Sequence, residues 1–149
     1  MVMRGTEWYK SLRFRGSNYR CGRMEARARM MKLTLGLPTN IANSWMHWAQ
    51  RNRARKTYFE FCDVLMMSKL VPEPPQEPPE KAKVRLSFFL HNRMDEDNLT
   101  ARAKWVLDWL VTRGYLTDDK PQNLRLLKPR QRIDRKNKRI EVELTVVKQ

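Results

Sequence analysis

The fold is decided by residues 83–114, which read KVRLSFFLHNRMDEDNLTARAKWVLDWLVTRG. Apolar residues occupy every second position from Val84 to Leu90, the spacing of a half-buried β-strand. A helix follows, with Asp97 or Asn98 as the expected cap and Gly114 as the expected end. Its apolar stripe consists of Leu99, Ala103, Val106, Leu107, Leu110 and Val111. The stretch therefore predicts a strand that leads through an acidic turn into an amphipathic helix.

Weaker patterns on both sides of this unit add further elements. Alternation predicts a first strand over residues 31–37, and helical spacing predicts a helix over residues 57–70. A short strand at residues 124–127 and a closing strand at residues 140–146 follow the central unit. The order is strand, helix, strand, helix, strand, strand. We expect a single α+β domain in which helices pack on a mixed β-sheet.

Three connecting segments complete this scheme. Residues 39–56 are rich in Asn, Arg and Trp and are interpreted as a long basic loop or a loose hairpin. The run VPEPPQEPPE, residues 71–80, contains five prolines, which exclude a helix and favour a stiff connector within the domain. Residues 128–138 are interpreted as a charged hairpin connection.

The charge of the chain indicates its class of partner. The 149 residues include 31 Lys and Arg against 16 Asp and Glu, a formal net charge of +15. Of these, 13 basic and only two acidic residues fall within residues 1–56. A field of this sign attracts polyanions, so nucleic acid is the expected partner.

The first 30 residues differ from the rest, so we divide the chain into a basic N-terminal extension, residues 1–30, and a folded domain, residues 31–149. The extension has eight basic residues, three glycines and no clear apolar period, which is typical of a segment that orders only on a polyanion. Packing of this segment on the domain, or a true start at a later methionine, are alternatives of equal weight.

Several classes of protein are excluded or disfavoured. No apolar run approaches the length that spans a bilayer, and the N-terminus lacks the apolar core of a secretory signal. Cys21 and Cys62 stand alone, which argues against a zinc site or a disulfide framework. A cytoplasmic location, in a bacterial or phage-infected cell, is the simplest expectation.

Two groups of carboxylates stand out in so basic a chain. Asp95, Glu96 and Asp97 follow the central strand, and Asp118 and Asp119 follow the helix. Mg²⁺ takes hard oxygen ligands and is usually held by a few carboxylates beside a phosphate, which makes phosphodiester hydrolysis the matching reaction. The alternative is that the first group only caps the helix and the second only forms a turn.

The two groups meet only if the chain returns. One route is a strand starting near Leu124 that runs beside the central strand, and the other is a dimer interface. On the helix itself, Asp97, Lys104 and Asp108 share one face because their spacing returns to nearly the same angle. Lys104 could then reach a phosphate near the acidic site, with Asp108 holding it, or the two could be an ordinary exposed pair.

Residues 95–119 resemble the signature of the RusA-like Holliday junction resolvases, endodeoxyribonucleases of phages and prophages. The matching residues, in order, are Asp95, Asp97, Asn98, Lys104, Asp108, Leu110, Gly114, Asp118 and Asp119. The first strand with Pro38, followed by Asn40 or Asn43, and the closing strand resemble the family more weakly. The gap from Asn98 to Lys104 is longer here by about three residues, nearly one helical turn, so Arg102 is a second candidate for the lysine's role.

The resemblance implies a Mg²⁺-dependent, structure-selective endonuclease that cuts branched DNA in recombination and repair, and that acts as a homodimer. Asp95, Asp97 and Asp119 would be catalytic carboxylates and metal ligands, with Asp118 beside them, and Lys104 would contact the phosphate. We expect the duplex arms to lie against Arg51, Arg53, Arg55, Lys56 and Arg102. A non-catalytic nucleic-acid-binding protein on the same fold and an RNA-binding or ribosome-associated protein are the alternatives.

Overall fold

The computed structural model describes residues 29–39 and 45–147. Its elements are β1 (Met30–Leu35), α1 (Trp48–Met67), β2 (Ala82–Leu90), α2 (Glu96–Thr112), β3 (Leu124–Leu126), β4 (Arg130–Ile133) and β5 (Arg139–Val146). Neither described helix combines the length and the apolar character needed to cross a membrane. The predicted extension lies outside the described residues except for its last two, and Asn40 and Asn43 also lie outside them.

The described strands form one mixed sheet around β2. On one side β2 pairs antiparallel with β5, which in turn pairs antiparallel with β1. On its other side β2 pairs parallel with β3 along its first residues and with β4 along its last, so that Ala82 lies opposite Leu124 and Ser87 opposite Arg130. The prediction of a single α+β domain with a mixed sheet and two helices is confirmed.

One face of the sheet is covered by the helices and forms the core. Every second residue of β2 is buried, and β1 and β5 contribute to the same layer. The largest fully buried side chains include Trp109 of α2, Tyr115 and Phe88. Cys62 of α1 is a buried free thiol, and burial raises its pKa to about 11. The apolar alternation in the sequence thus corresponds to a one-sided core.

The structure corrects the predicted start of the first helix. The helix begins at Trp48 instead of residue 57, so half of the predicted basic loop is helical. His47 caps it: its Nδ1 accepts the Ala49 N–H, and the Gln50 side chain returns to accept the His47 N–H. The basic residues of this first half lie mostly in solvent, so they show no apolar period although they are good helix formers.

A second correction concerns residues 128–138, predicted as a hairpin connection. They contain β4, which pairs with β2 over residues 87–90. The β4 sequence, RQRI, lacks the apolar alternation of a strand because β4 lies at the edge of the sheet and buries little surface. Its pairing with β2 is a tertiary interaction that local sequence does not show.

The ends of α2 agree only in part with the positions predicted from the sequence. The N-cap is Asp95, not Asp97 or Asn98 as predicted, and its side chain makes no capping hydrogen bond. At the other end Gly114 has φ of +82°, and Tyr115 N–H donates to the Leu110 carbonyl. A left-handed glycine with this bond ends the helix as predicted.

Asp63 joins the two helices. Its carboxylate accepts hydrogen bonds from Nε1 of Trp109, at 2.9 Å, and from Nε of Arg113, at 2.7 Å. The second carboxylate oxygen pairs with the other end of the same guanidinium. Because the indole is fully buried, this carboxylate also satisfies the one polar group that Trp109 brings into the core.

We expect Asp63→Ala to lower the free energy of unfolding by about 1.5–3 kcal/mol, since it removes charge-assisted hydrogen bonds and leaves the Trp109 N–H unpaired. Urea denaturation followed by tryptophan fluorescence measures this change. Glu60→Ala, which removes an exposed carboxylate one turn earlier on α1, is the matched control and should change stability by less than about 0.5 kcal/mol. Equal effects of the two substitutions would contradict the role given to Asp63.

Candidate functional site

A groove of about 260 Å³ lies between α2 and the segment that joins β3 to β4. Thr100, Lys104 and Leu107 line it from α2, and residues 126–129 line it from the sheet edge. Asp119, in the loop after α2, completes the lining. The Lys104 ammonium and the Asp119 carboxylate are both exposed. The groove therefore presents an exposed cation and an exposed carboxylate on one concave surface.

The first acidic group lies where β2 leads into α2. Asp95, Glu96 and Asp97 are all exposed. Glu96 pairs with Lys128 at 2.6 Å, and this hydrogen bond holds the pKa of its carboxyl below the usual range. Within the described part of the chain, the carboxylates of Asp95 and Asp97 accept no hydrogen bond and form no ion pair. Two carboxylates are thus present here that neither the cap nor an ion pair uses.

Gln131 of β4 fixes the backbone just before this group. Its Oε1 accepts the Met94 N–H at 3.0 Å, and its Nε2 donates to the Met94 carbonyl at 2.9 Å. The backbone N–H and the backbone carbonyl of Met94 are thereby both hydrogen-bonded to the Gln131 side chain, next to Asp95. No local sequence pattern marks Gln131, because its partner Met94 lies 37 residues away and is reached only through the β2–β4 pairing.

The two residues of the second acidic group, Asp118 and Asp119, have different roles. The Asp118 carboxylate accepts the Asp119 N–H at 2.8 Å and pairs with Lys120 at 3.0 Å. These bonds, with that of Lys120 the largest, hold the pKa of Asp118 below its usual range. Asp118 thus stabilises the turn, as the alternative interpretation expected, and Asp119 is the member that faces the groove.

Lys104 and Arg102 occupy different sides of α2. Two residues correspond to about 200° around a helix, so Arg102 points away from the groove that Lys104 lines. Arg102 is half-buried, burial lowers the pKa of its guanidinium, and its buried Nε has no partner among the described residues. Lys104, not Arg102, shares the groove with Asp119.

Asp108 does not hold Lys104. Its carboxylate pairs with Arg55 of α1 at 3.3 Å, and the described residues show no ion pair between Asp108 and Lys104. The shared helix face is present as predicted, since all three residues lie within α2, but the proposed pairing along it is wrong. The Lys104 ammonium is therefore not neutralised by the carboxylate one turn away.

The basic residues expected to hold DNA arms lie on a helix instead of a loop. Arg51, Arg53 and Lys56 are exposed along the first half of α1. Arg55 is half-buried: besides Asp108, it stacks on Phe59, with its guanidinium carbon 4.9 Å from the ring centroid. Arg55 is thus part of the contact between the helices, and the other three form the exposed basic row of α1.

The four carboxylates predicted as metal ligands do not form a group of three or more in the described part of the chain. No three His, Cys, Asp or Glu side chains of the described residues are grouped so that they could hold a metal ion. The β2–β3 pairing supplies the first of the two predicted routes, but Leu124 lies beside the start of β2, whereas Asp95 follows its end. Asp95 and Asp97 are donors of the kind that Mg²⁺ takes, because this ion needs only one or two carboxylates together with water and phosphate oxygens.

Comparison with known proteins adds no assignment. No protein-family model matches the chain, and no curated protein matches it significantly.

We expect Gln131→Ala to increase the exchange rate of the Met94 amide hydrogen about tenfold, because it removes the two bonds that hold this residue. Amide hydrogen exchange followed by NMR measures the rate. Gln122→Ala, in the exposed turn before β3, is the control and should leave Met94 unchanged. Unaltered exchange at Met94 in the Gln131 variant would show that the β4 side chain does not fix this loop.

Proposed function

We propose that the protein is a Mg²⁺-dependent endonuclease that cuts branched DNA, four-way junctions above all, by phosphodiester hydrolysis in recombination and repair. The observation that carries this proposal is the pair of exposed carboxylates, Asp95 and Asp97, that neither cap α2 nor form ion pairs. In a chain with net charge +15, two such groups beside a basic surface favour a bound cation that offsets their repulsion. The resemblance of residues 95–119 to the RusA-like resolvases supports the same function.

The carboxylates have distinct tasks in this proposal. Asp95 and Asp97 would hold the metal ion. Asp119 would act on the phosphodiester from the groove beside α2, which it lines. When bound, Mg²⁺ lowers the pKa of a coordinated water and stabilises negative charge on the phosphate. Asp118 acts indirectly: by accepting the Asp119 N–H it fixes the backbone from which the Asp119 carboxylate projects.

Lys104 would bind the phosphate group. It is the exposed cation on the α2 side of the groove, and no carboxylate of the described residues pairs with it. An unpaired ammonium in a concave site attracts a phosphate oxygen and stabilises the charge that develops during hydrolysis. The same groove holds Asp119, so the cation and the carboxylate would act on one phosphodiester.

A four-way junction has two equivalent strands to cut, which favours a two-fold symmetric dimer with two sites. The described surface offers an apolar stripe that supports this part of the proposal. Phe61, Val64 and Met67 are half or more exposed along α1. Exposed apolar side chains in such a row are typical of protein interfaces.

Asp97→Asn should abolish cleavage of a labelled four-way junction in Mg²⁺, with at least a 100-fold loss of rate, because it removes a charged metal ligand. The wild-type protein should give symmetric nicks in Mg²⁺ and none in EDTA. Glu80→Gln, which neutralises an exposed carboxylate before β2, is the control and should cut normally. Junction binding without cleavage under any divalent metal would refute the enzymatic function and favour a non-catalytic DNA-binding protein.

Lys104→Met should lower the single-turnover cleavage rate about 100-fold, because the groove loses the cation that stabilises the reacting phosphate. Junction affinity should change by less than about threefold, since Lys104 contributes one phosphate contact among many. Arg102→Met serves as the control and should cut at a rate close to that of the wild type. A larger loss from Arg102→Met than from Lys104→Met would transfer the role to Arg102.

A further inference from the structure

The sheet has a second face, opposite the helices, that the proposed site does not use. Along β2 the residues between the buried positions are half-buried, from Lys83 to Phe89. Residues opposite each other in a sheet point to the same side. Lys83 lies opposite Arg125 of β3, and Phe89 opposite Arg132 of β4. The register therefore brings basic residues of three strands onto this face, which neither of the described helices covers.

The contacts of Gln131 confirm this placement. Its side chain reaches Met94, in the loop that enters α2, so it points to the helix side of the sheet. Side chains of successive strand residues alternate between the two faces. Arg130 and Arg132, on either side of Gln131, therefore point to the open face, and both are exposed.

We define the basic sheet face by the cationic residues of β2, β3 and β4 on this side: Lys83, Arg85, Arg125, Arg130 and Arg132. Within the described part of the chain, none of the five has a carboxylate within 4.0 Å. The two glutamates of the open face lie on β5, where Glu141 pairs with Arg139 at 3.0 Å and Glu143 with Lys32 at 3.9 Å. Glu143 lies opposite Arg85 in the β2–β5 register, but among the described residues no ion pair neutralises the positive charge of the basic sheet face.

The apolar surface on this side is small. The guanidinium of Arg139 stacks on the Phe89 ring at 3.8 Å from the centroid. Asp134, at 2.8 Å, and Glu141 hold this guanidinium, and their hydrogen bonds raise the pKa of Arg139. Because a charged group covers the aromatic ring, a second copy of the chain would gain little apolar contact and would bring like charges together.

We propose that the basic sheet face is a second DNA-binding surface, which holds the phosphate backbone of a duplex arm. The β3–β4 edge connects it to the candidate site, because Lys128 and the groove lie on the helix side of this edge and Arg130 on the open side. Arg130 and Arg132 are about 6.6 Å apart along the strand, close to twice the roughly 3.4 Å axial spacing of phosphates on one DNA strand, so each can contact a separate phosphate. The proposal rests on the proposed function in that DNA is the polyanion.

The test is the double variant Arg130→Gln/Arg132→Gln, with junction binding measured over a range of NaCl concentrations in EDTA. Loss of two phosphate contacts should weaken binding and reduce the slope of log K against log[salt] by about 2, roughly one for each arginine. Lys69→Gln removes one exposed positive charge in the turn after α1, away from this face, and is the matched control for a single substitution, with a smaller change in slope than Arg125→Gln. Thermal unfolding should be unchanged, because both arginines are exposed, and Arg125→Gln provides an independent single substitution on β3.

The outcomes separate this proposal from the proposed function. A wild-type salt dependence in both the double variant and Arg125→Gln would overturn the surface, while Mg²⁺-dependent cleavage would still establish the enzyme. A reduced slope in a protein that never cuts DNA would support the surface and refute the enzyme. A changed sedimentation coefficient of the double variant without DNA would show that a second copy covers the face. A reduced affinity for duplex RNA alone would exclude DNA as the occupant.

Discussion

The pairing of β2 on both of its edges is the constraint on which the rest of the structure depends. β5 occupies one edge, and β3 and β4 share the other, so every other strand is placed directly or indirectly by this one. The strict alternation of β2 then assigns a side to each neighbour, because residues in register face the same way. A single strand thereby defines a buried layer beneath the helices and a charged layer on the opposite face.

The candidate site follows from the same strand. β2 ends at Leu90 and α2 begins at Glu96, so Asp95 ends the turn between them, and Glu96 and Asp97 lie in the first turn of α2. Negative charge suits the N-terminus of a helix, whose N–H groups point at the turn. Helix geometry alone, however, needs one capping oxygen, and the Asp95 side chain does not supply it. The carboxylates of Asp95 and Asp97 are therefore not engaged in a cap, which leaves them available for the proposed metal site.

Local patterns in the sequence were sufficient where burial is periodic. The alternation of residues 84–90, the apolar stripe of α2 and the left-handed Gly114 were all confirmed. The errors fall where burial is slight: the first half of α1 and β4 are mostly exposed, so neither shows an apolar period. The role of Gln131 depends on the β2–β4 pairing. Whether Lys104 or Arg102 lies in the groove depends on which side of α2 faces the sheet edge. Only the assembled fold determines both.

The distribution of charge around the β3–β4 edge explains how a protein with net charge +15 can retain exposed carboxylates. Basic residues lie on the open face through Arg130 and Arg132, and on the helix side through Lys104 and Lys128. Of the three residues of the first acidic group, by contrast, only Glu96 forms an ion pair with these basic residues, and its partner is Lys128. In the proposed function, a polyanion attracted to both sides of the edge would be held beside Asp95 and Asp97 by charges that do not neutralise them. Without a cation the two carboxylates would repel that polyanion, so the proposed metal binding and DNA binding should strengthen each other.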